Sequence, residues 1–441
     1  MGKKSAGACA QTVIEVMMMA EQLAVDGGKP VCSEQFPPWP LFTDEIIQAA
    51  MEPLRSGKVN YWTGELGMRF ELEFAKWNGA KFGISTSNGT SALHVALAGL
   101  GIGPGDEVIV PSYTFIATSF AVCQAGAVPV FADVEKLGHT ILASDIEAKI
   151  SEKTRAIIVV HLYGEVCDMG AVMDVAKRHS LFVVEDCAQA HGATYNGRKV
   201  GTIGDVGAFS FCQSKTFTTG GEGGCVITDD EDVAWNCRSF RDHGYDVAER
   251  LRLLELEAKL PYIHNCVGFN YRLTEMQSAI GLKELERLDN WNLKNRRRNG
   301  EMLLSALNDY PQIKRLPIHT SERGNGFWLF PIVLDTDALS TDLKGVITAL
   351  AAEGIPCGPV LWPQCYKENA YQKKRGFGKL GYPFGDPNAR PQAVDYSKVF
   401  CPNAAEVETK CFFVPVHPTY EERHIEMAAS AILKVLEAYA K

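Results

Sequence analysis

"LFVVEDCAQAHGA" (181–193) is the stretch whose reading decides the fold. Four apolar residues of strand length run without interruption into Glu185 and Asp186, with Gln189 three positions on. A short run with no polar alternation is the pattern of a strand buried on both faces, as in a parallel sheet. A carboxylate at the end of such a strand is costly unless something pairs with it. A cationic ring nitrogen on a cofactor would serve, and so would a set of structural hydrogen bonds; these residues alone leave both open.

Working outward, similar runs recur: "FGISTS" (82–87), "EVIVPS" (107–112), "VPVFADV" (128–134), "RAIIVVHLYG" (155–164), "GAFSFC" (207–212) and "GGCVITD" (223–229). Helical candidates such as "GTSALHVALAGLG" (89–101), "FIATSFAVCQAG" (115–126) and "MGAVMDVAKRHS" (169–180) lie between the earlier ones. Strand and helix in alternation predict an α/β fold, a mostly parallel central sheet sandwiched by helices. Toward residue 300 long charged helices take over (273–307), followed by an α+β tail with "FWLFPIVLD" (327–335) and a final helix near 421–441. The expected organisation is a poorly ordered leader over 1–25, a large domain over 26–300 and a smaller α+β C-terminal domain over 301–441. The stretch 366–402, rich in Tyr, Lys, Gly, Pro and Asn, reads as a long irregular segment of a kind that is often functional.

Composition narrows the function. The 441 residues are 46% apolar and 22% charged, an ordinary globular balance, and the net charge of −9 argues against nucleic acid or an anionic membrane as the main partner. Small molecules remain. The thirteen cysteines are odd in number, scattered and without C-x-x-C, which reads as reduced thiols in a cytoplasmic protein. No window is long and apolar enough for a membrane helix. Glu15 interrupts the apolar start, against a signal peptide, and Ala6 stands where a myristoylation motif wants Ser or Thr.

Three further places can carry chemistry. In "STSNGTSALHVAL" (85–97) a strand end meets a helix start, where Thr90 and Ser91 would bind a phosphate or simply belong to an N-cap. In "FSFCQSKTFTTGGEGG" (209–224), Ser210 and Lys215 follow a buried strand and precede a glycine-rich bend. A desolvated lysine is pushed toward the neutral amine that a Schiff base needs, though a solvated loop lysine is the commoner case. By contrast "GLGIGPGDEVIVPS" (99–112) precedes a strand and lacks the G-x-G-x-x-G spacing, so it is a weak dinucleotide signal. Trp62 in "NYWTGE", His161 and Tyr163 in "HLYG", and His191 are candidates to face a substrate, each with packing as its alternative. His417 and His424 read as surface or packing residues, and no metal site is expected.

Taken together, "SNGTSAL" (87–93), "VPSYTFIAT" (110–118), "EDCAQAHGA" (185–193), "GAFSFCQSKTFTTGGEGG" (207–224), "RDHG" (241–244) and "GFNYRLTEMQSAIG" (268–281) resemble the DegT/DnrJ/EryC1/StrS family of sugar and cyclitol aminotransferases, fold-type I enzymes that use pyridoxal 5'-phosphate. The likeness extends over about residues 28–440. It implies that Lys215 forms the internal aldimine and shuttles protons, that Asp186 pairs with the pyridinium nitrogen, that Gln189 lies near the ring's O3′ and that Phe115 stacks on the ring. Thr90, Ser91 and Ser210 would hold the phosphate, and Asn270, with Arg272 nearby, would reach the phosphate of a neighbouring subunit, so that a homodimer shares its sites.

The implied activity is transfer of an amino group from an amino acid, glutamine or glutamate, to a keto group of a nucleotide sugar or cyclitol. The alternatives are a dehydratase or another reaction on a keto sugar, against which Lys215 weighs because dehydrating relatives carry histidine there, and a non-catalytic regulatory relative. The chain departs from the family pattern in its leader, in "YDVAERLRLLELEAKLPYIHNCV" (245–267) and in 366–402. The basic run "YQKKRGFGK" (371–379) would suit a diphosphate or be a solvated loop.

Overall fold

A computed structural model describes residues 22–255, 263–360 and 362–441. Seven strands form the central sheet or feed it: β1 (Phe82–Thr86), β2 (Glu107–Pro111), β3 (Val128–Ala132), β4 (Thr154–Val160) and β5 (Phe182–Asp186), then, after the short β6 (Thr194–Tyr195) and β7 (Arg198–Lys199) of a side ribbon, β8 (Val206–Ser210) and β9 (Gly224–Thr228). Their order is β1-β9-β8-β5-β4-β2-β3. All neighbours from β8 to β3 are parallel, and only β9 runs against its two neighbours. The expected mostly parallel sheet is therefore present. β2, β8 and β9 are buried at every position, because helices cover both faces and leave no polar side to alternate toward.

The carboxyl ends of β1, β4, β5 and β8 open on one edge of this sheet, where open α/β folds bind ligands. β1 runs into the helix Gly89–Gly99, whose capping box pairs the Asn88 side chain with the Ser91 N–H and the Ser91 hydroxyl with the Asn88 N–H. The cap fixes the helix start at the strand end.

The long charged segment is one continuous helical run: Glu275–Arg287, a π-helical turn Leu288–Leu293, and Lys294–Leu307. Thr274 and Gln277 cap its start reciprocally. This run crosses residue 300 without a break, and Leu303 and Leu307 at its end enter the second core. That core lies under an antiparallel sheet. Its strands are β10 (Ile313–Arg315), β12 (Leu329–Leu334), β13 (Gly358–Pro359) and β14 (Cys411–Pro415), in the order β10-β12-β14-β13; β11 (Arg323–Gly324) joins β6 instead. The helices Leu343–Ala352 and Glu422–Ala438 complete it.

Of the expected leader, residues 1–21 lie outside the described residues. Leu23 is buried in the second core, and Glu353 takes the N–H groups of Ala24 and Val31, so the fold begins before residue 26. The stretch 366–402 is irregular apart from the helical turns Cys365–Lys367, Asn369–Gln372 and Tyr396–Lys398 and the start of the helix Pro402–Lys410, but it is packed. Tyr366, Tyr371 and Tyr396 are buried around Phe131 with ring centroids 5.1–6.0 Å away, and Arg390 holds Glu107 through two 2.6 Å bonds. Three tyrosines supply enough apolar area to fix an irregular backbone. In "YQKKRGFGK", Tyr371 is buried while Lys373, Lys374, Arg375 and Lys379 are exposed. Every described cysteine is free, most of them buried.

Candidate active site

A cavity of about 780 Å³ opens at the carboxyl edge of the sheet, and it brings Thr90, Ser91, Phe115, Asp186, Gln189, Ser210 and Lys215 together. At its deep end, Asp186 is 6% exposed. Its Oδ2 accepts from the Thr118 hydroxyl at 2.9 Å and its Oδ1 from the Ala188 N–H at 3.1 Å. Burial pushes this carboxyl above the ordinary carboxylate range, against those two bonds and the charge of Lys215. The group is held in place and short of positive charge, which suits a cationic ring nitrogen.

Gln189 is oriented from behind. Its Oε1 accepts the Tyr163 N–H at 2.8 Å, which leaves its amide nitrogen as the donor toward the cavity. Tyr163 directs that N–H from a left-handed conformation, φ 62°, which is uncommon for a residue with a side chain.

The anion end lies at the start of the helix Gly89–Gly99. Because Ser91 N–H goes to Asn88 Oδ1 and Ala92 N–H to Asn88 O, the N–H groups of Gly89 and Thr90 are the pair left for an anion. A Cβ at Gly89 would stand 2.6 Å from Ser210 Cβ, so a bare backbone is required beside the Ser210 hydroxyl. The Ser91 hydroxyl is engaged in the cap.

Lys215 is 9% exposed. Its Nζ lies 4.2 Å from the centroid of the Trp328 ring. Burial pulls the amine down to about 8, while Asp186 and Cys212 pull the other way. The glycine-rich bend after it uses Gly220 at φ 90°, a conformation that side chains resist. Phe115 stays 45% exposed at the cavity mouth, its ring 5.6 Å from that of Trp362. An anion cradle, an uncompensated carboxylate, a desolvated amine and an open aromatic face fit pyridoxal 5'-phosphate from phosphate to ring nitrogen.

The remaining sequence candidates do not line this cavity among the described residues. His161 is fully buried, its Nε2 3.1 Å from Glu185 and its Nδ1 accepting from Cys167 N–H, so it braces the strand behind Asp186. Tyr163 is buried, its hydroxyl 2.9 Å from that of Tyr113. His191 is buried among Phe209, Phe211 and Phe217, and burial holds it down to about 3. Trp62 and Arg272 both bond Asp242, away from the cavity. Asn270 is exposed and bridged to Asp242 through the backbone. His417 and His424 are packed against aromatic rings.

Sequence reading passed over Thr118, Tyr271, Trp328 and Trp362, which line the cavity. The rings of Tyr163, Trp328 and Trp362 are nearly parallel, at 7–14° with centroids 6.2–6.3 Å apart, and two of the three form its wall. Neither tryptophan is marked by its neighbours, which in "GFWLF" and "VLWP" are those of an ordinary apolar run.

A GDP-perosamine synthase of Caulobacter vibrioides is 42% identical over 307 residues, covering 68% of this chain and 78% of that protein. An L-glutamine:2-deoxy-scyllo-inosose aminotransferase of Streptomyces kanamyceticus is 37% identical over 358 residues, covering 78% and 82%. The crystal structure of an aminotransferase from Psychrobacter cryohalolentis superposes with a TM-score of 0.80 at 36% identity, covering 92% of this chain and 99% of that one. The model of the DegT/DnrJ/EryC1/StrS aminotransferase family matches residues 40–433, and the chain belongs to that family.

Proposed function

We propose that this chain is a pyridoxal-phosphate aminotransferase that moves an amino group from glutamine or glutamate to a keto group on a nucleotide sugar or cyclitol. The observation that carries the reading is the buried Lys215 amine sharing one cavity with Asp186 and the anion-binding helix start. Bound pyridoxal phosphate supplies the carbonyl that captures the donor amine and a ring that accepts the electron pair left at the substrate carbon. Asp186 would hold a proton on the ring nitrogen. The N–H groups of Gly89 and Thr90 and the Ser210 hydroxyl bind the phosphate, with Ser91 fixing the helix start. Gln189 would donate to the ring's oxygen, and Phe115 would cover its face. Lys215, once freed by the donor amine, would take the proton from the substrate carbon and deliver it to the cofactor's former carbonyl carbon, two atoms along. That task suits an amine near pH 8.

Relatives that act on a GDP-linked sugar and on an inosose support a polyhydroxylated ring ketone as the acceptor, and the inosose enzyme's L-glutamine supports that donor. The residue at 215 is lysine, which favours amino transfer over dehydration.

A homodimer is part of the reading. Val267 (85%) and Phe269 (42%) are exposed beside Asn270, and the helix Asp44–Ser56 exposes Ile47, Met51 and Leu54 on one face. Such apolar surface fits a partner copy, toward which the exposed Asn270 would turn its amide, while Arg272 stays on Asp242 of its own chain. Free thiols fit a reducing, cytoplasmic setting; no helix among the described residues is long and apolar enough to cross a membrane. A large domain to about residue 300 and a small one beyond it are also part of the reading, supported by the separate antiparallel sheet after residue 300, although Leu23 packs in the second core and Tyr366, Tyr371 and Tyr396 pack in the first.

The test is to add pyridoxal phosphate to the purified protein and to Lys215→Ala. A visible absorbance band in the first, discharged by glutamine or glutamate and missing from the second, is the expected result. A band that no amino acid discharges would refute amino transfer.

A further inference from the structure

The backbone carrying Lys215 is held in an unusual way. Three successive carbonyls each accept a side-chain N–H, and each donor comes from a different part of the chain. Trp328 Nε1 donates to the Ser214 carbonyl at 2.6 Å, Trp39 Nε1 to the Lys215 carbonyl at 3.0 Å, and Asn292 Nδ2 to the Thr216 carbonyl at 2.6 Å. Loops usually leave such carbonyls to water. Here they tie the lysine to the N-terminal segment, to the long helical run and to the second sheet at once.

The donors are themselves fixed. Asn292 is fully buried and sits in the π-helical turn Leu288–Leu293, a local widening of the helix that is frequent at functional positions. Its Oδ1 accepts from Arg296 Nε at 2.9 Å, and Arg296 Nη1 donates to the Trp328 carbonyl at 3.2 Å. Arg296 is fully buried and forms no ion pair among the described residues. A buried cation without a counter-ion costs stability. Its position, joining two of the three donors, is a reason to keep it. Trp39 packs against Trp291 and His417, with ring centroids 6.2 Å away in each case.

We infer that Trp39, Asn292 and Trp328 form a three-point clamp on the lysine backbone, and that Trp39 and Asn292, with Arg296 behind them, are positioning residues for the Lys215 amine. The clamp sets where the amine sits between the Trp328 ring and Asp186. A lysine that must leave its cofactor and then reach one particular substrate carbon gains rate from a fixed backbone, because small misplacements of a reacting group are costly. The inference rests on the cofactor role of Lys215.

The experiment uses the cofactor-loaded protein and the variants Trp39→Phe, Asn292→Ala and Asn292→Asp, with Trp235→Phe, an indole whose N–H faces Glu231 on an exposed helix, as control. Two quantities are read: the pH midpoint of the Lys215-dependent absorbance band, and the single-turnover rate with the amino donor against the donor's dissociation constant. Trp39→Phe and Asn292→Ala are expected to slow the turnover about 10- to 100-fold, with the dissociation constant within about twofold. Their midpoints should shift while that of Trp235→Phe does not. Asn292→Asp keeps an acceptor for Arg296 but loses the donor to Thr216, and it should behave like Asn292→Ala. If Asn292→Ala does not fold, Trp39→Phe decides, since it keeps an aromatic ring for packing and removes the pyrrole ring with its N–H. Wild-type rate and midpoint in Trp39→Phe, or lowered thermal stability with both unchanged, would overturn the clamp. Absence of the band from the wild-type protein would overturn the cofactor role of Lys215 itself, an outcome distinct from either.

Discussion

The Lys215 amine lies 4.2 Å from the centroid of the Trp328 ring, and the same indole gives its N–H to the Ser214 carbonyl one residue back. Ring and backbone bond together place the amine in a dry position that still faces Asp186. Burial pulls it down to about 8, and Asp186 opposes the shift.

A pH profile follows from that balance. The neutral amine is the form that reacts, and its lowered value means that it predominates above about pH 8 rather than above 10.5. The rate at which the cofactor-free protein captures pyridoxal phosphate should rise with pH and level off past a midpoint near 8. Asp186→Asn removes an influence that raises the amine's value, so its midpoint should fall below that of the wild type. Stopped-flow absorbance over a pH series measures both.

Asp186→Asn also tests the ring-nitrogen role. Without a carboxylate, the ring loses the partner that keeps it protonated and its capacity as an electron sink. The first half-reaction with glutamine or glutamate should slow by at least about 100-fold, while the Lys215-dependent band still forms. Single-turnover kinetics separates the two effects.

His161 and Glu185 form a fully buried pair 3.1 Å apart behind the site. Burial alone would raise Glu185, yet the bond and charge of His161 and the N–H groups of Gly201 and Gly204 hold it below its ordinary 4.5. A carboxyl held low stabilises the fold above that value and stops doing so as pH falls through its folded value. His161→Ala should therefore cost about 3 kcal/mol at neutral pH. The loss should shrink below pH 4.5. Urea unfolding at both pH values checks it.

Trp362 stands at the cavity wall with its ring nearly parallel to that of Trp328. Trp362→Ala should raise KM for the keto acceptor about tenfold, by removing apolar surface the acceptor ring would cover. Cofactor binding, followed by the absorbance band, should be unchanged.

The sheet was legible from the sequence because its strands are buried on both faces and read as unbroken apolar runs. The residues at its carboxyl edge were legible because a cavity chemistry of amine, carboxylate and anion cradle uses polar groups where burial would otherwise exclude them. Trp39, Asn292 and Trp328 were not legible. Their roles depend on contacts spanning 76 to 176 positions in the chain, and each would pass locally for packing or for a polar helix residue. Trp62, His161, Tyr163, His191 and Arg272 looked alike as polar or aromatic residues at strand ends and turns. Only folding separates Tyr163, which orients Gln189 through its backbone, from His191, sealed among three phenylalanines. The tyrosines of 366–402 were visible but not their common target, Phe131 on β3.

The most direct measurement loads the protein with pyridoxamine phosphate and offers it, one at a time, 4-keto and 3-keto nucleotide sugars and inososes, while the Lys215-dependent band is followed. Return of the band with at least one ring ketone, together with an aminated product by mass spectrometry and no response in Lys215→Ala, is the predicted result. A protein that binds the cofactor normally but regains the band with none of these ketones would contradict the account.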